Sequence, residues 1–289
     1  MKILKIKILN LYRRALRYIG NRLVAMAEEK FISFPLSSFS IMLQEFKHTS
    51  ALVHQKAPDT SDIDRVETFY RPDALDLNRA RLEHLESLQL PIQGKSVLDV
   101  GCGVGHLAQF FVGKGCQVFC VDGREENISS LRERYPGLKS AVVNIEKDSL
   151  SDYEMCDIVF CYGLLYHLEN PSTALKNMSS VCKEILLLET CITDHARPLL
   201  QWVDETTAYS QSLTGIGSRP TPSYVITALL QAGFSYVYVP KSVPDYEDFR
   251  FSWRSDLSFL RDGHLLRQVF IASRSELTND QLTLVGKIE

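Results

Sequence analysis

From residue 95 onward, short apolar runs alternate with stretches in which apolar residues recur every three or four positions. The runs "SVLDV" (96–100), "QVFCVD" (117–122), "SAVVNI" (140–145), "CDIVFCYG" (156–163) and "EILLLET" (184–190) predict strands. Between them "HLAQFFVGKG" (106–115), "NISSLRERY" (127–135) and "PSTALKNMSSV" (171–181) predict helices. A further helix, "TPSYVITALLQAGF" (221–234), precedes two last strands, "SYVYVP" (235–240) and "LRQVFIASR" (266–274). Short apolar runs alternating with helical stretches are the pattern of βαβ units and hence of an α/β fold around a parallel sheet.

The first ninety residues read differently. "DALDLNRARLEHLESL" (73–88) predicts a helix with Leu75, Leu77, Leu82, Leu85 and Leu88 broadly on one side. In residues 1–27, Leu4, Ile8, Leu11, Ala15, Ile19, Leu23 and Met26 share a helical face, and seven Lys or Arg residues precede the first acid, Glu28. This basic amphipathic helix either docks on the rest of the chain or lies against anionic lipid headgroups. Two connections are too long to be plain turns, and both are rich in polar and aromatic residues. The first, 191–220, holds Asp194, His195, Trp202, Asp204, Glu205 and Tyr209; the second, 240–264, holds Tyr246, Phe249, Trp253 and Arg254. Both are candidate walls for a substrate.

Composition narrows the picture. Hydrophobic residues make up 45% and charged residues 23%, as in an ordinary globular protein, and the net charge of −3 provides no global attraction to nucleic acid. The seven cysteines form no CxxC pair and several lie inside apolar runs, which predicts buried reduced thiols and a reducing, cytoplasmic setting. Residues 1–30 lack an uninterrupted apolar segment followed by a small-residue cleavage site, so no secretory signal is expected, and no run reaches membrane-spanning length. His106, His167 and His195 fall in different connections, and no metal site is predicted.

The candidate chemistry starts at "LDVGCGVGH". Gly101, Gly103 and Gly105 stand where the first strand must turn into the first helix, and glycines there let a ligand approach the backbone. Asp99 precedes them. Asp122 closes the second strand 23 residues after Asp99, where a carboxylate can accept both hydroxyls of a ribose. Asn144, at the end of the third strand, has an amide able to read an adenine edge. Gly163, after the fourth strand, again leaves room for a ligand. Dinucleotide folds place their third glycine five positions after the first; here it comes at four, which disfavours a nicotinamide oxidoreductase.

Taken together, "LDVGCGVGH", "VFCVDGREEN", "VVNIEKD" and "CYGLLYHLENP" resemble the class I S-adenosylmethionine-dependent methyltransferases. The resemblance implies a Rossmann-like, doubly wound sheet of seven strands with the last antiparallel and inserted beside the fifth. It implies a domain over 71–275 carrying the two insertions, with a helical extension over 1–70 and a tail over 276–289. S-adenosyl-L-methionine is the implied cofactor. Gly101, Cys102, Gly103 and Gly105 would line its methionine and ribose portions, and Asp99 would orient that loop and approach the amino group. Asp122 would bind the ribose, Gly123 and Arg124 would flank the adenosine, Asn144 and Ile145 would border the adenine, and Cys161, Tyr162 and Gly163 would lie beside the sulfonium. His167 is the first candidate base and His195 the alternative. The expected reaction is O-methylation of a small molecule or a glycan, and a lipid-linked saccharide becomes the favoured acceptor if residues 1–27 bring the chain to the inner face of a membrane. The "CYGLLYHLENP" and "GSRPTPSYVITALLQAGF" segments are also similar to the tRNA wobble-uridine carboxymethyltransferase group. An RNA acceptor is therefore a second reading, and a catalytically inactive interaction module a third.

Overall fold

The chain divides into two units, Met1–Ser61 and Asp62–Glu289. The computed structural model describes residues 65–195, 197–205, 211–251 and 266–288, all within the second unit. The amphipathic helix expected over 1–27 lies outside the described residues, as do Tyr209, Trp253 and Arg254.

Five helices are described: α1 (Pro72–Ser87), α2 (Ala108–Gly113), α3 (Glu125–Arg134), α4 (Pro171–Val181) and α5 (Pro222–Gln231). The strands are β1 (Ser96–Val100), β2 (Gln117–Asp122), β3 (Lys139–Val142), β4 (Cys156–Tyr162), β5 (Cys182–Ile192), β6 (Leu200–Asp204), β7 (Ile216–Pro220), β8 (Tyr236–Pro240), β9 (Leu266–Ser273) and β10 (Leu282–Lys287). Eight of them form one sheet in the order β10-β8-β9-β5-β4-β1-β2-β3. β1, β2, β3, β4 and β5 run parallel, whereas β9 is antiparallel to both β5 and β8. The chain is thus an α/β fold of the expected Rossmann-like kind, with the last strand of the predicted seven inserted beside the fifth.

Two features differ from the sequence reading. Residues 276–289 are not a tail: β10 pairs antiparallel with β8 and adds an eighth strand at the edge. Its apolar alternation is broken where the register shifts between Leu284 and Gly286, which is why a period-two pattern does not reveal it. The 191–220 insertion is an antiparallel ribbon of β6 and β7, separate from the main sheet.

Strand alternation explains both cores. Leu98 and Val100 of β1, Val159 and Cys161 of β4, and Leu186 and Leu188 of β5 face one side, where α4 and α5 contribute Leu175, Met178, Val225 and Leu229. Val97, Ile158, Phe160, Ile185 and Leu187 face the other and meet Leu85 of α1 and Phe111 of α2. Central strands buried on both faces lose their alternation and become continuous apolar runs, which makes them conspicuous in the sequence. Each fully buried Leu, Ile or Phe contributes roughly 1.5–3 kcal/mol. The α1 face departs from its apolar prediction, because it buries Arg81 and His84 while Leu75 stays exposed. The reason lies in the sheet: Glu189 continues the Ile185–Leu187 face of β5, is fully buried, and pairs with Arg81.

Candidate functional site

In a doubly wound sheet the carboxyl ends of the parallel strands border a crevice where the strand order reverses. Here β1, β2 and β4 end at that crevice, and the turn after β1 is shaped by its glycines. The backbone N–H groups of Gly101 and Cys102 both donate to the Val121 carbonyl, at 2.8 and 3.1 Å. Gly101 and Gly103 adopt φ of 75° and 53°, in the left-handed region that side chains with a Cβ disfavour. The Asp122 carboxylate fixes this turn. It accepts from Gly103 N at 3.0 Å, Arg124 N at 2.9 Å and Asn127 Nδ2 at 3.0 Å. Burial raises the carboxyl pKa of Asp122, and these three donors oppose the rise.

The cleft beside the turn is lined by Gly101, Asp122, Gly123, Arg124, Asn144, Ile145, Gly163 and His167, all anticipated from the sequence. Arg124 Nη2 donates to the carbonyls of Gln211 and Ser212, at 3.2 and 2.6 Å, and so fastens the strap leading into β7. The Asn144 side-chain oxygen accepts from Glu146 N at 3.1 Å and shapes its own turn. Of the remaining predicted residues, Asp99, Cys102, Gly103, Gly105, Cys161 and Tyr162 do not line this cleft. Asp99 is almost completely buried with no partner for Oδ2, and burial, reinforced by the charge of Asp122, raises its carboxyl to about 8. Burial also holds the Cys102 and Cys161 thiols in their neutral form.

The structure adds residues that local sequence patterns do not mark. Phe69, Leu164 and Leu213 press onto the glycines: a Cβ on Gly103 would lie 2.5 Å from the Phe69 ring, one on Gly101 2.7 Å from Leu164, and one on Gly123 2.5 Å from Leu213. With these side chains in place the cleft encloses about 60 Å³, room for a few waters. Behind Gly163, whose φ is 85°, the Arg81 guanidinium lies 3.1 Å from the position a Cβ would take. Arg81 and Arg267 both bond to Glu189, and Arg267 Nε also reaches Asp248 Oδ2 at 3.0 Å, so two cations face two carboxylates in a buried cluster.

The two candidate histidines sit in different surroundings. His167 lines the cleft in a single helical turn after β4, and its Nδ1 bonds to Glu205 at the end of β6. Arg219 of β7 holds the same carboxylate, at 3.3 Å from Oε1. Burial lowers the His167 pKa, and Glu205 opposes that shift. His195 is buried outside the cleft lining, and its Nδ1 accepts from the backbone N–H of Arg197 at 3.1 Å. Among the other insertion residues, Trp202 is exposed and donates to the Glu169 carbonyl, whereas Phe249 belongs to the core beneath α1 rather than to a rim. Among the described residues no group of His, Cys, Asp and Glu could hold a metal ion, and no helix is long and apolar enough to cross a membrane.

A family model described as "Methyltransferase domain" matches residues 98–185, from β1 into β5. The chain is 31% identical over 113 residues to the ubiquinone biosynthesis O-methyltransferase of Bordetella avium (strain 197N), covering 37% of this chain and 46% of that protein. Over 111 residues it is 30% identical to the protein of the same name from Coxiella burnetii (strain Dugway 5J108-111), covering 37% and 47%. The chain thus spans about half the length of the curated relatives it matches. Among solved structures, the N-terminal domain of EvdMO1, in the presence of SAH and D-fucose, superposes with a TM-score of 0.52 at 19% identity, over 70% of this chain and 83% of that one. That likeness concerns the fold.

Proposed function

We propose that this chain is a class I S-adenosylmethionine-dependent methyltransferase that methylates a hydroxyl group of a small molecule, a reading supported by the methyltransferase-domain match over residues 98–185. The observation carrying the proposal is the meeting, in one cleft, of the glycine turn held by Asp122 and the imidazole of His167. The residues fit the cofactor. Asp122 has about four lone-pair positions on its two oxygens and uses three, leaving an acceptor for a ribose hydroxyl. Val143, Ile145 and Leu168 offer apolar surface to an adenine beside Asn144. Phe69 and Leu213 must swing off the glycines to admit a molecule of this size.

When bound, S-adenosyl-L-methionine supplies a methyl group made electrophilic by positive sulfur. What the protein must add is alignment and removal of the acceptor proton. His167 is the group suited to proton removal, because its lowered pKa keeps it neutral near neutral pH and able to take the hydroxyl proton as the new O–C bond forms. The curated relatives named as O-methyltransferases support oxygen as the methylated atom. The test is calorimetric titration with S-adenosylmethionine and S-adenosylhomocysteine, beside Asp122→Ala, followed by a screen of phenols, catechols and sugars. Saturable binding by the wild type that the variant loses is expected. A folded wild type that binds neither compound overturns the reading.

A further inference from the structure

We infer that Glu205 is a positioning residue that locks His167 in the tautomer protonated at Nδ1 and so presents Nε2 to the cleft as the base. The inference rests on the reading of His167 given above and assigns Glu205 a place behind the imidazole rather than in a wall touching the acceptor.

Four observations converge. First, the ionised carboxylate of Glu205 can only accept, so a hydrogen bond between it and Nδ1 requires the proton on Nδ1. His167 lines the cleft, and Nε2 is the ring nitrogen left for it. Second, the carboxylate is itself held. Arg219 donates to Oε1 through both Nη atoms, and the Glu205 backbone N–H donates to the Gly215 carbonyl at 2.8 Å. Arg219 is anchored in turn on the carbonyls of Tyr166 and Ser218, at 3.1 and 2.8 Å.

Third, the ribbon has no side chain where this arrangement needs space. A Cβ on Gly217 would fall 2.6 Å from the Tyr166 carbonyl oxygen and 2.7 Å from Glu205 Cδ. Gly217 has ordinary strand geometry, so the need for glycine there is steric and not conformational. Fourth, Tyr166 packs its ring 4.1 Å from the imidazole and is flanked by the Arg219 and Arg267 guanidinium groups, at 5.3 and 5.0 Å. The base and its orienting acid therefore come from separate elements, the turn after β4 and the β6–β7 ribbon, joined by the Arg219–Tyr166 hydrogen bond and the close approach of Gly217 to the Tyr166 carbonyl.

During transfer the acceptor oxygen gains the methyl carbon, the sulfur keeps the electron pair of the broken C–S bond, and the hydroxyl proton passes to Nε2. The resulting imidazolium faces one anion, Glu205, and two cations, Arg219 and Arg267. Glu205 raises the basicity of His167 and the two arginines lower it, so substitutions on either side of the carboxylate move it in opposite directions.

The experiment uses full-length protein labelled with ¹⁵N-histidine, with the His167 signals assigned by their loss in His167→Gln. In the wild type, neutral His167 is expected as the Nδ1–H tautomer. Glu205→Gln is expected to lower its pKa and release the tautomer, and Arg219→Gln to raise the pKa. An Nε2–H tautomer in the wild type overturns the inference, as does a Glu205→Gln protein with unchanged tautomer and pKa. If Glu205→Gln does not fold, the wild-type tautomer and the upward shift in Arg219→Gln still decide. With an acceptor found in the screen, Glu205→Gln is expected to lower kcat about 10²-fold, to move the acidic limb of the pH profile down, and to leave S-adenosylhomocysteine affinity within about threefold, since Glu205 does not line the cofactor cleft. Failure of the wild type to bind S-adenosylmethionine would refute the function proposed above, and the spectra would still report on the Glu205–His167 pair.

Discussion

Replacing Asp99 by asparagine should change how stability depends on pH, and the size of the change follows from burial. Asp99 sits at the end of β1 with 2% of its surface exposed, and its carboxyl titrates at about 8 in the folded protein against 3.8 for the free side chain. Between those values the folded state holds a proton that the unfolded chain has released, so unfolding becomes easier as pH rises. Stability from this group is therefore complete below the unfolded pKa and is lost up to about pH 8, at roughly 1.4 kcal/mol per pH unit. The amide of the variant carries no titrating proton. The stability of Asp99→Asn minus that of the wild type should consequently grow by roughly 3 kcal/mol between about pH 5 and about pH 7. Carboxylates that do not interact with Asp99 cancel in the difference. Urea unfolding of both proteins across this range measures it, and at about 2–4 °C per kcal/mol the melting temperatures should diverge visibly. A difference independent of pH would mean that Asp99 is ionised in the fold and that the unpartnered Oδ2 is satisfied by a donor.

Two further substitutions probe the glycine turn. Gly103→Ala combines a left-handed φ of 53° with a contact 2.5 Å from Phe69; it should cost about 1–2 kcal/mol in urea unfolding and abolish S-adenosylhomocysteine binding in the calorimeter, and unaltered affinity would show that the Phe69 contact plays no part. Leu213→Ala removes the half-exposed side chain covering Gly123, so stability should change by less than about 0.5 kcal/mol while stopped-flow association of S-adenosylhomocysteine becomes faster; an unchanged rate would mean that Leu213 does not obstruct entry.

The features legible in the sequence are those set by neighbours along the chain. The glycine triplet and Asp122 stand out because a strand end, a turn and a following strand end are tied to local spacing. The central strands stand out because burial on both faces makes them continuous apolar runs. What escapes is set by pairing across the fold. Glu205 reads as one polar residue among many in a long insertion, and only the β6–β7 register, with Asp204 opposite Ile216, carries it to His167. Arg81 reads as a solvent-facing charge on an amphipathic helix, and only the buried Glu189 of β5 reveals why it points inward. β10 escapes because its bulge breaks the alternation that marks an edge strand.

The ribbon is closed at its base. Thr193 N donates to the Pro220 carbonyl at 2.9 Å, Thr221 N donates to the Leu199 carbonyl at 2.9 Å, and the Thr221 hydroxyl both donates to the Arg197 carbonyl and accepts from Leu199 N. Thr221 also caps α5 through Tyr224 N. A clasp of this kind makes the insertion a cassette: its tip can lengthen, shorten or change residues at little entropic cost while β5 and α5 keep their places. Descendants of one ancestral sheet could thus exchange acceptors by remodelling roughly 20 residues beyond the clasp, and transplanting this segment onto a related scaffold is a direct route to moving substrate preference without rebuilding the cofactor half.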